Sequence, residues 1–269
     1  MPVSPFGADF LRRTLVMGIL NITPDSFSDG GQWVAHEAAH AHALAMARAG
    51  ADILDVGGES TRPGFAPVPV AEEIARTVPL IAHLAREGYP LPISIDTTKP
   101  EVAVSALDSG ATIINDIHGL QREPELAALA AARGAGVVAM FHREVIDDSL
   151  DILAEARSFF ARTLSIAAEA GLPREHLALD PGIGFGKSHR QNLLLIRECA
   201  ALGREFGLPM LMGASRKSFI GRIIETAAPE RVPGSLVAAA LSGAAIVRVH
   251  DVAETVQAMR VADAIRRAA

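Results

Sequence analysis

The chain carries one cysteine, Cys199, one tryptophan and one tyrosine in 269 residues. A single thiol excludes an internal disulfide and a cysteine zinc cluster, and it suits a reducing compartment. Positive charge is also short. With 25 Lys and Arg against 31 Asp and Glu, the net charge is −6, and such a field does not attract nucleic acid or an anionic membrane. A membrane span needs about 20 apolar residues. The most apolar stretch, Leu236 to Val247, is shorter and rich in Ala and Gly. The opening segment MPVSPFGADFLRRTL lacks the basic start and apolar stretch of a secretory signal. These absences predict a cytoplasmic protein with neither nucleic acid nor membrane as partner.

What is present can build a core. Hydrophobic residues make up 49 % and charged residues 21 %, which excludes wholesale disorder. Short apolar runs occur at Leu15–Leu20, Ile53–Val56, Ile93–Ile95, Thr112–Ile114, Gly136–Ala139, Leu177–Leu179, Pro209–Met212 and Ile246–Val249. Almost no polar residue interrupts them, as expected for parallel strands buried on both faces. Helical stretches lie between them, among them Ala35–Ala49, Ala71–Glu87, Leu150–Ala170, Gln191–Phe206 and Val252–Ala268. The alternation predicts an α/β fold, a (β/α)8 TIM barrel over residues 1–269 as a single domain. A doubly wound open sheet is the alternative. The runs end in Asn21, Asp55, Asp96, Asn115–Asp116, Asp180, Ser215–Lys217 and Arg248 with His250. Polar groups at nearly every carboxyl end share one ligand only if the sheet closes, which favours the barrel, with its site at that end.

Three patterns are set aside. His36-Glu37-Ala38-Ala39-His40 matches the HExxH zinc pattern, but a solvated turn at the start of the first helix explains it as well. GIGFGKS at 182–188 lacks the leading Gly of a phosphate loop, since Pro181 stands there. Cys199 lies in a helical pattern and reads as a small packed residue.

The chemistry concentrates in a few segments. GILNITPDSFSDGG (18–31) runs from a strand end at Asn21 into a polar loop holding Asp25, Phe27 and Asp29. In DILDVGGESTRPG (52–64), two glycines let the backbone approach a ligand, and Arg62 suits bidentate phosphate binding, although a lone Arg equally makes a surface ion pair. Asp96, Asn115 and Asp180 each end an apolar run. Any one of them fits a turn cap. Three facing one cavity suit a ligand rich in N–H donors, because buried carboxylates need partners. Lys217, Arg248 and His250 bring positive charge to the last two strands, where barrels often hold phosphate.

These segments, with ISIDTTKP, IINDIHG, DPGIGFGK, GASRKSFIG and RVHD in the same order, resemble the dihydropteroate synthase family over residues 18 to 251. The resemblance implies a transferase that joins 6-hydroxymethyl-7,8-dihydropterin pyrophosphate to para-aminobenzoate, releasing pyrophosphate. It implies that Asp96, Asn115, Asp180 and Lys217 hold the pterin, with Met140 packing on it and Gly213 beside it. Asn21 would bind the Mg²⁺ that accompanies pyrophosphate, with Arg62, Arg248 and His250 on the phosphates. Thr61, Pro63, Phe185, Lys217 and Ser218 would border the aminobenzoate pocket, the target of sulfonamides. Asp25, Phe27 and Asp29 would sit in a loop closing over the reacting carbon, so that Asp96, Lys217, Asp25 and Asp29 form the catalytic set. A homodimer is the family expectation.

One segment departs from the pattern. Where the family has Met-His-Met-Gln-Gly, this chain reads Met140-Phe141-His142-Arg143-Glu144-Val145, and the connection is several residues short. The segment 141–149 is expected on the pterin side, clear of the aminobenzoate pocket. Two competing readings share the Asp/Asn pterin site. One is a methyltransferase using methyltetrahydrofolate and a corrinoid protein, which does not need Asn21–Gly31, Arg62, Arg248 and His250. The other is a pterin-binding paralogue without turnover, which only the altered segment favours.

Overall fold

The computed structural model describes residues 5–6, 12–22, 31–59 and 67–268, with backbone only for 31–35. Eight parallel strands alternate with helices in the order β1 (Leu15–Asn21), α1 (Gly31–Arg48), β2 (Ile53–Gly57), α2 (Val70–Arg86), β3 (Ile93–Asp96), α3 (Pro100–Asp108), β4 (Ile113–Asp116), α4 (Glu125–Arg133), β5 (Gly136–Met140), α5 (Ile152–Glu169), β6 (Leu177–Asp180), α6 (His189–Phe206), β7 (Leu211–Met212), α7 (Ser218–Ile224), α8 (Val232–Ser242), β8 (Ile246–Val249) and α9 (Val252–Arg267). The strands form one sheet in the order β6-β5-β4-β3-β2-β1-β8-β7. A parallel bridge between Leu179 and Met210 joins its two ends, so the predicted TIM barrel forms and the open sheet does not.

β7 keeps only two of the four residues expected. Pro209 has no N–H to give a ladder. The Met210 carbonyl instead accepts from both Ala245 and Ile246 N–H, at 2.9 and 3.1 Å.

The two-residue alternation of the strands builds two cores. One set of side chains, including Leu15, Met17, Ile53, Ile113, Val138, Ala178, Leu211 and Ile246, fills the barrel interior, with Phe6 packed among them. The other set, including Val16, Leu54, Val56, Ile95, Ile114, Val137, Leu179 and Val247, packs under the helices. Cys199 belongs to this outer core and is fully buried, as expected. Continuing the inward series two residues along each strand reaches Asp55, Asn115, Met140, Asp180, Gly213 and Arg248. The pattern that fills the barrel thus delivers the polar groups to its carboxyl end. Among the described residues no helix is long and apolar enough to cross a membrane.

Candidate active site

Strand register fixes the first arc of the site. Asn21 lies beside Gly57, Gly57 beside Asp96, and Asp96 beside Asn115. A Cβ on Gly57 would sit 3.2 Å from Asn21 Oδ1 and 3.8 Å from Asp96 Oδ2. Glycine therefore keeps a gap open between two oxygens, the hard donors that suit a magnesium ion.

Arg248 closes the arc from β8. Its Nε donates to Asp55 Oδ2 at 2.6 Å, and a terminal nitrogen donates to Asp96 Oδ2 at 2.6 Å. Asn115 Nδ2 donates to the same Asp55 oxygen at 3.3 Å. The other Asp55 oxygen is buried and has no hydrogen-bond partner among the described residues. Burial works against charge on Arg248, but Asp55 and Asp96 outweigh it and hold the guanidinium above its ordinary range. Burial likewise pushes the Asp96 carboxyl up to about 7, opposed by Arg248 and reinforced by Asp55, Glu73 and Asp116. A cavity of about 660 Å³ opens beside Asp96, with Thr97, Lys99, His118 and Arg122 on its walls.

The second arc comes from β6 and β7. Asp180 is buried and accepts from Gly182 N–H at 2.7 Å; burial raises its pKa and the nearby Lys217 works against the shift. Burial lowers Lys217 to about 8, opposed by Asp180. A Cβ on Gly213 would stand 3.6 Å from Asp180 Oδ2 and 3.9 Å from Lys217 Nζ. Glycine at 213 therefore keeps any side chain out of the space beside a carboxylate and an ammonium. The Lys217 ammonium donates to the Ile183 carbonyl and lies 4.7 Å from the Phe185 ring centroid. Met140 pairs with Asp180 in register and is buried. Ser218 is exposed at the start of α7. His250 Nδ1 lies 3.0 Å from Ser215 Oγ.

The structure thus gathers Asp96, Asn115, Met140, Asp180, Gly213, Lys217 and Arg248, with Asn21, Phe185, Ser218 and His250 around them. Asp25, Phe27, Asp29, Thr61, Arg62 and Pro63 lie outside the described residues.

Sequence reasoning gave no role to two groups. Asp55 was visible as a strand end, but not as the partner of Arg248. Lys187, set aside with the failed phosphate loop, donates to the carbonyls of Phe141, Gly182 and Phe185 at 2.7, 2.9 and 2.9 Å, and lies 4.2 Å from the Phe141 ring centroid. Burial lowers its pKa. Three carbonyl acceptors nevertheless require three N–H donors, which only the ammonium has. The run of three glycines around this lysine was the available signal. Gly182 and Gly186 adopt φ of 66° and 60°, and a Cβ on either would come within 2.0 Å of the Phe141 carbonyl and 2.1 Å of the Arg143 carbonyl.

These contacts correct the expected position of segment 141–149. It packs on the β6–α6 loop that carries Phe185, not clear of it. The His142 ring lies 5.8 Å from the Phe185 ring, and Gln191 Nε2 donates to the Asp147 carbonyl at 2.7 Å. The HEAAH segment lies in the first half of α1, partly exposed as expected, but His40 also reaches across to α2.

Residues 17–250 match the family of pterin binding enzymes. The dihydropteroate synthase of Synechocystis is 46 % identical over 99 % of this chain and 95 % of its own length. The crystal structure of dihydropteroate synthase from Clostridium difficile in the presence of pteroic acid superposes with a TM-score of 0.92 at 42 % identity, covering 96 % of this chain and 99 % of that one. That of the Yersinia pestis dihydropteroate synthase with a sulfonamide drug gives 0.87 at 41 % identity, covering 96 % of each. A barrel whose carboxyl end gathers these carboxylates and cations, matched along nearly its whole length, belongs to the dihydropteroate synthase family of pterin-binding enzymes.

Proposed function

We propose that this chain works as a dihydropteroate synthase, joining 6-hydroxymethyl-7,8-dihydropterin pyrophosphate to para-aminobenzoate to give 7,8-dihydropteroate and pyrophosphate in folate biosynthesis. The observation that carries the residue roles is the gap at Gly213 between Asp180 and Lys217, with Arg248 held on Asp55 and Asp96 across the mouth.

Asp180 and Asn115 accept from the N–H groups of the pterin, Lys217 donates to its acceptors, and Met140 packs on the ring face. The bond from the exocyclic methylene to the pyrophosphate oxygen breaks, and the electron pair leaves with the pyrophosphate. The reduced ring spreads the resulting positive charge, and Asp96, as a carboxylate, stabilises it. The aniline nitrogen forms the new C–N bond and gives its proton to solvent. That amine is weakly basic, so no strong general base is needed. Phe185, Lys217 and Ser218 border the aminobenzoate, with Thr61 and Pro63 assigned to the same wall. Arg248 and His250, together with Arg62, bind the phosphates. Asp25, Phe27 and Asp29, outside the described residues, are assigned to the reacting carbon.

The oxygen donors around Gly57 fit Mg²⁺, and Asn21 Oδ1 would hold it; such an ion would supply neutralisation of the pyrophosphate charge.

The enzyme acts in the cytoplasm as a homodimer. Val237 and Leu241 of α8, Ile223 and Ile224 of α7 and Leu193 of α6 expose 57, 73, 56, 42 and 39 % of their surfaces along one face. Such an apolar patch is expected where two copies meet. Pyrophosphate release measured with both substrates and Mg²⁺ tests the activity. Release that needs both substrates is expected, and none with either alone. Absence of release with both present would overturn the reading in favour of a pterin-binding protein without turnover.

A further inference from the structure

We propose that His40, His83 and Glu87, with His36 one turn away, form a binding site for a divalent ion of the zinc class on the outer surface of the barrel, between α1 and α2. Helical spacing supplies the parts. His36 and His40 stand four residues apart on α1, and His83 and Glu87 stand four apart at the end of α2, so each pair shares a face of its helix. The helices are tied together close by. The Tyr89 hydroxyl, just past α2, donates to the Ala43 carbonyl at 2.9 Å, less than a turn beyond His40.

The geometry is that of a ligand set converging on one point. His40 Nε2 lies 2.7 Å from one Glu87 oxygen, and His83 Nε2 lies 3.1 Å from the other. The two imidazoles stack with centroids 4.5 Å apart and planes 16° from parallel, so both Nε2 atoms face the same carboxylate. One ligand atom from each of the three residues lies within 4.8 Å of the others. Tetrahedral zinc with bonds of ~2.0–2.1 Å holds its ligand atoms about 3.3 Å apart, so side-chain rotations of about 1 Å complete the site. The ion would replace the hydrogen-bond protons between the imidazoles and the carboxylate, leaving the ring protons on Nδ1.

Water, or His36 one turn before His40 on α1, fills the fourth position. Two imidazoles and one carboxylate select zinc, cobalt, nickel or copper over magnesium or calcium. The HEAAH segment thus contributes its histidines to a cross-helix site rather than to a protease motif. Glu37 takes no part. With ligands from two helices, the ion binds only the folded chain and fastens α1 to α2.

The test uses full-length protein stripped with a chelator and kept in millimolar Mg²⁺. Zn²⁺ is titrated in competition with a chromophoric chelator, and Co²⁺ is followed by its visible ligand-field absorption. One ion per chain is expected, with a tetrahedral Co²⁺ spectrum and a melting temperature raised by Zn²⁺. Loss of an outer-shell partner already costs roughly 10–100-fold in metal affinity, so His40→Ala, His83→Ala and Glu87→Gln should each cost at least about tenfold. His42→Ala, on the same helix but off this face, should cost nothing. Melting without added metal checks that the variants fold. Affinity and stoichiometry unchanged in His40→Ala and His83→Ala would overturn the assignment, as would wild-type protein binding no Zn²⁺.

Discussion

Replacing Arg248 with Met is the sharpest perturbation of the site, because its charge serves two partners at once. The guanidinium side chain is 21 % exposed, while those of Asp55 and Asp96 are 0 % and 7 % exposed. Solvent therefore screens the pair weakly. Removing one partner of a buried ion pair costs about 3–5 kcal/mol, because the remaining charge stays buried. Whole domains are stable by only ~5–15 kcal/mol, so Arg248→Met should lose a large part of its stability. Asp55→Asn in the same chain removes one stranded carboxylate and leaves Asp96 able to take a proton, so the double variant should regain most of that loss. Binding should not recover. A charge-assisted phosphate contact is worth roughly 1.5–3 kcal/mol, a loss of about ten- to a hundredfold for the pterin pyrophosphate. Urea denaturation of the wild type and the two variants, with calorimetric titration of each substrate, separates the two effects. If the double variant were no more stable than Arg248→Met, or bound pterin pyrophosphate as wild type does, the shared role of Arg248 would be refuted. Equal losses for aminobenzoate and pterin pyrophosphate would indicate collapse of the site.

Asp96→Asn should lower kcat far more than it weakens pterin pyrophosphate binding, since the amide keeps the shape but not the charge. With Asp96 near 7, the wild-type kcat/KM should rise with pH through that value as the carboxylate ionises, and the Asn variant should lack this limb; a variant with normal turnover removes Asp96 from the mechanism. Lys187→Met strands three carbonyls and frees the loop under Phe185. It should raise KM for aminobenzoate about tenfold or more and lower the melting temperature, at roughly 1–3 kcal/mol per unsatisfied group; initial-rate kinetics showing only a kcat change would place the loop elsewhere. A simple sulfonamide should inhibit competitively with aminobenzoate and bind more tightly once the pterin pyrophosphate is present. Inhibition indifferent to aminobenzoate concentration would sink the pocket assignment.

The barrel was legible because the strands are short, mostly apolar runs, nearly all with a polar residue at or near the carboxyl end. Once Ile53, Ile113 and Ala178 are placed inside, a period of two puts Asp55, Asn115 and Asp180 inside as well. The pairing of Arg248 with Asp55 was not legible. The two stand 193 residues apart on strands either side of β1, and their meeting depends on register that no local pattern encodes. Lys187 was missed for another reason: its partners are main-chain carbonyls, and a carbonyl leaves no mark on residue identity. His40 was misjudged because HExxH describes one helix, whereas its partners His83 and Glu87 come from the next.

The same distinction between side-chain and main-chain contacts bears on the one segment that departs from the family pattern. Side-chain changes after β5 would threaten turnover if those side chains shaped the neighbouring loop. The tightest approaches between the two loops run through the carbonyls of Phe141 and Arg143, met by Gly182, Gly186 and Lys187, beside side-chain contacts of His142 with Phe185 and of Lys187 with the Phe141 ring. A carbonyl is present whichever residue carries it, so Phe141, His142 and Arg143 can replace the family's residues while the β6–α6 loop keeps its support. Further along the short connection the chain turns outward, with Val145 and Ile146 exposing 70 % and 60 % of their surfaces. The backbone that braces the Phe185 loop is kept where the segment lies against it. The departure is therefore compatible with an intact aminobenzoate wall, and it does not favour a pterin-binding protein without turnover.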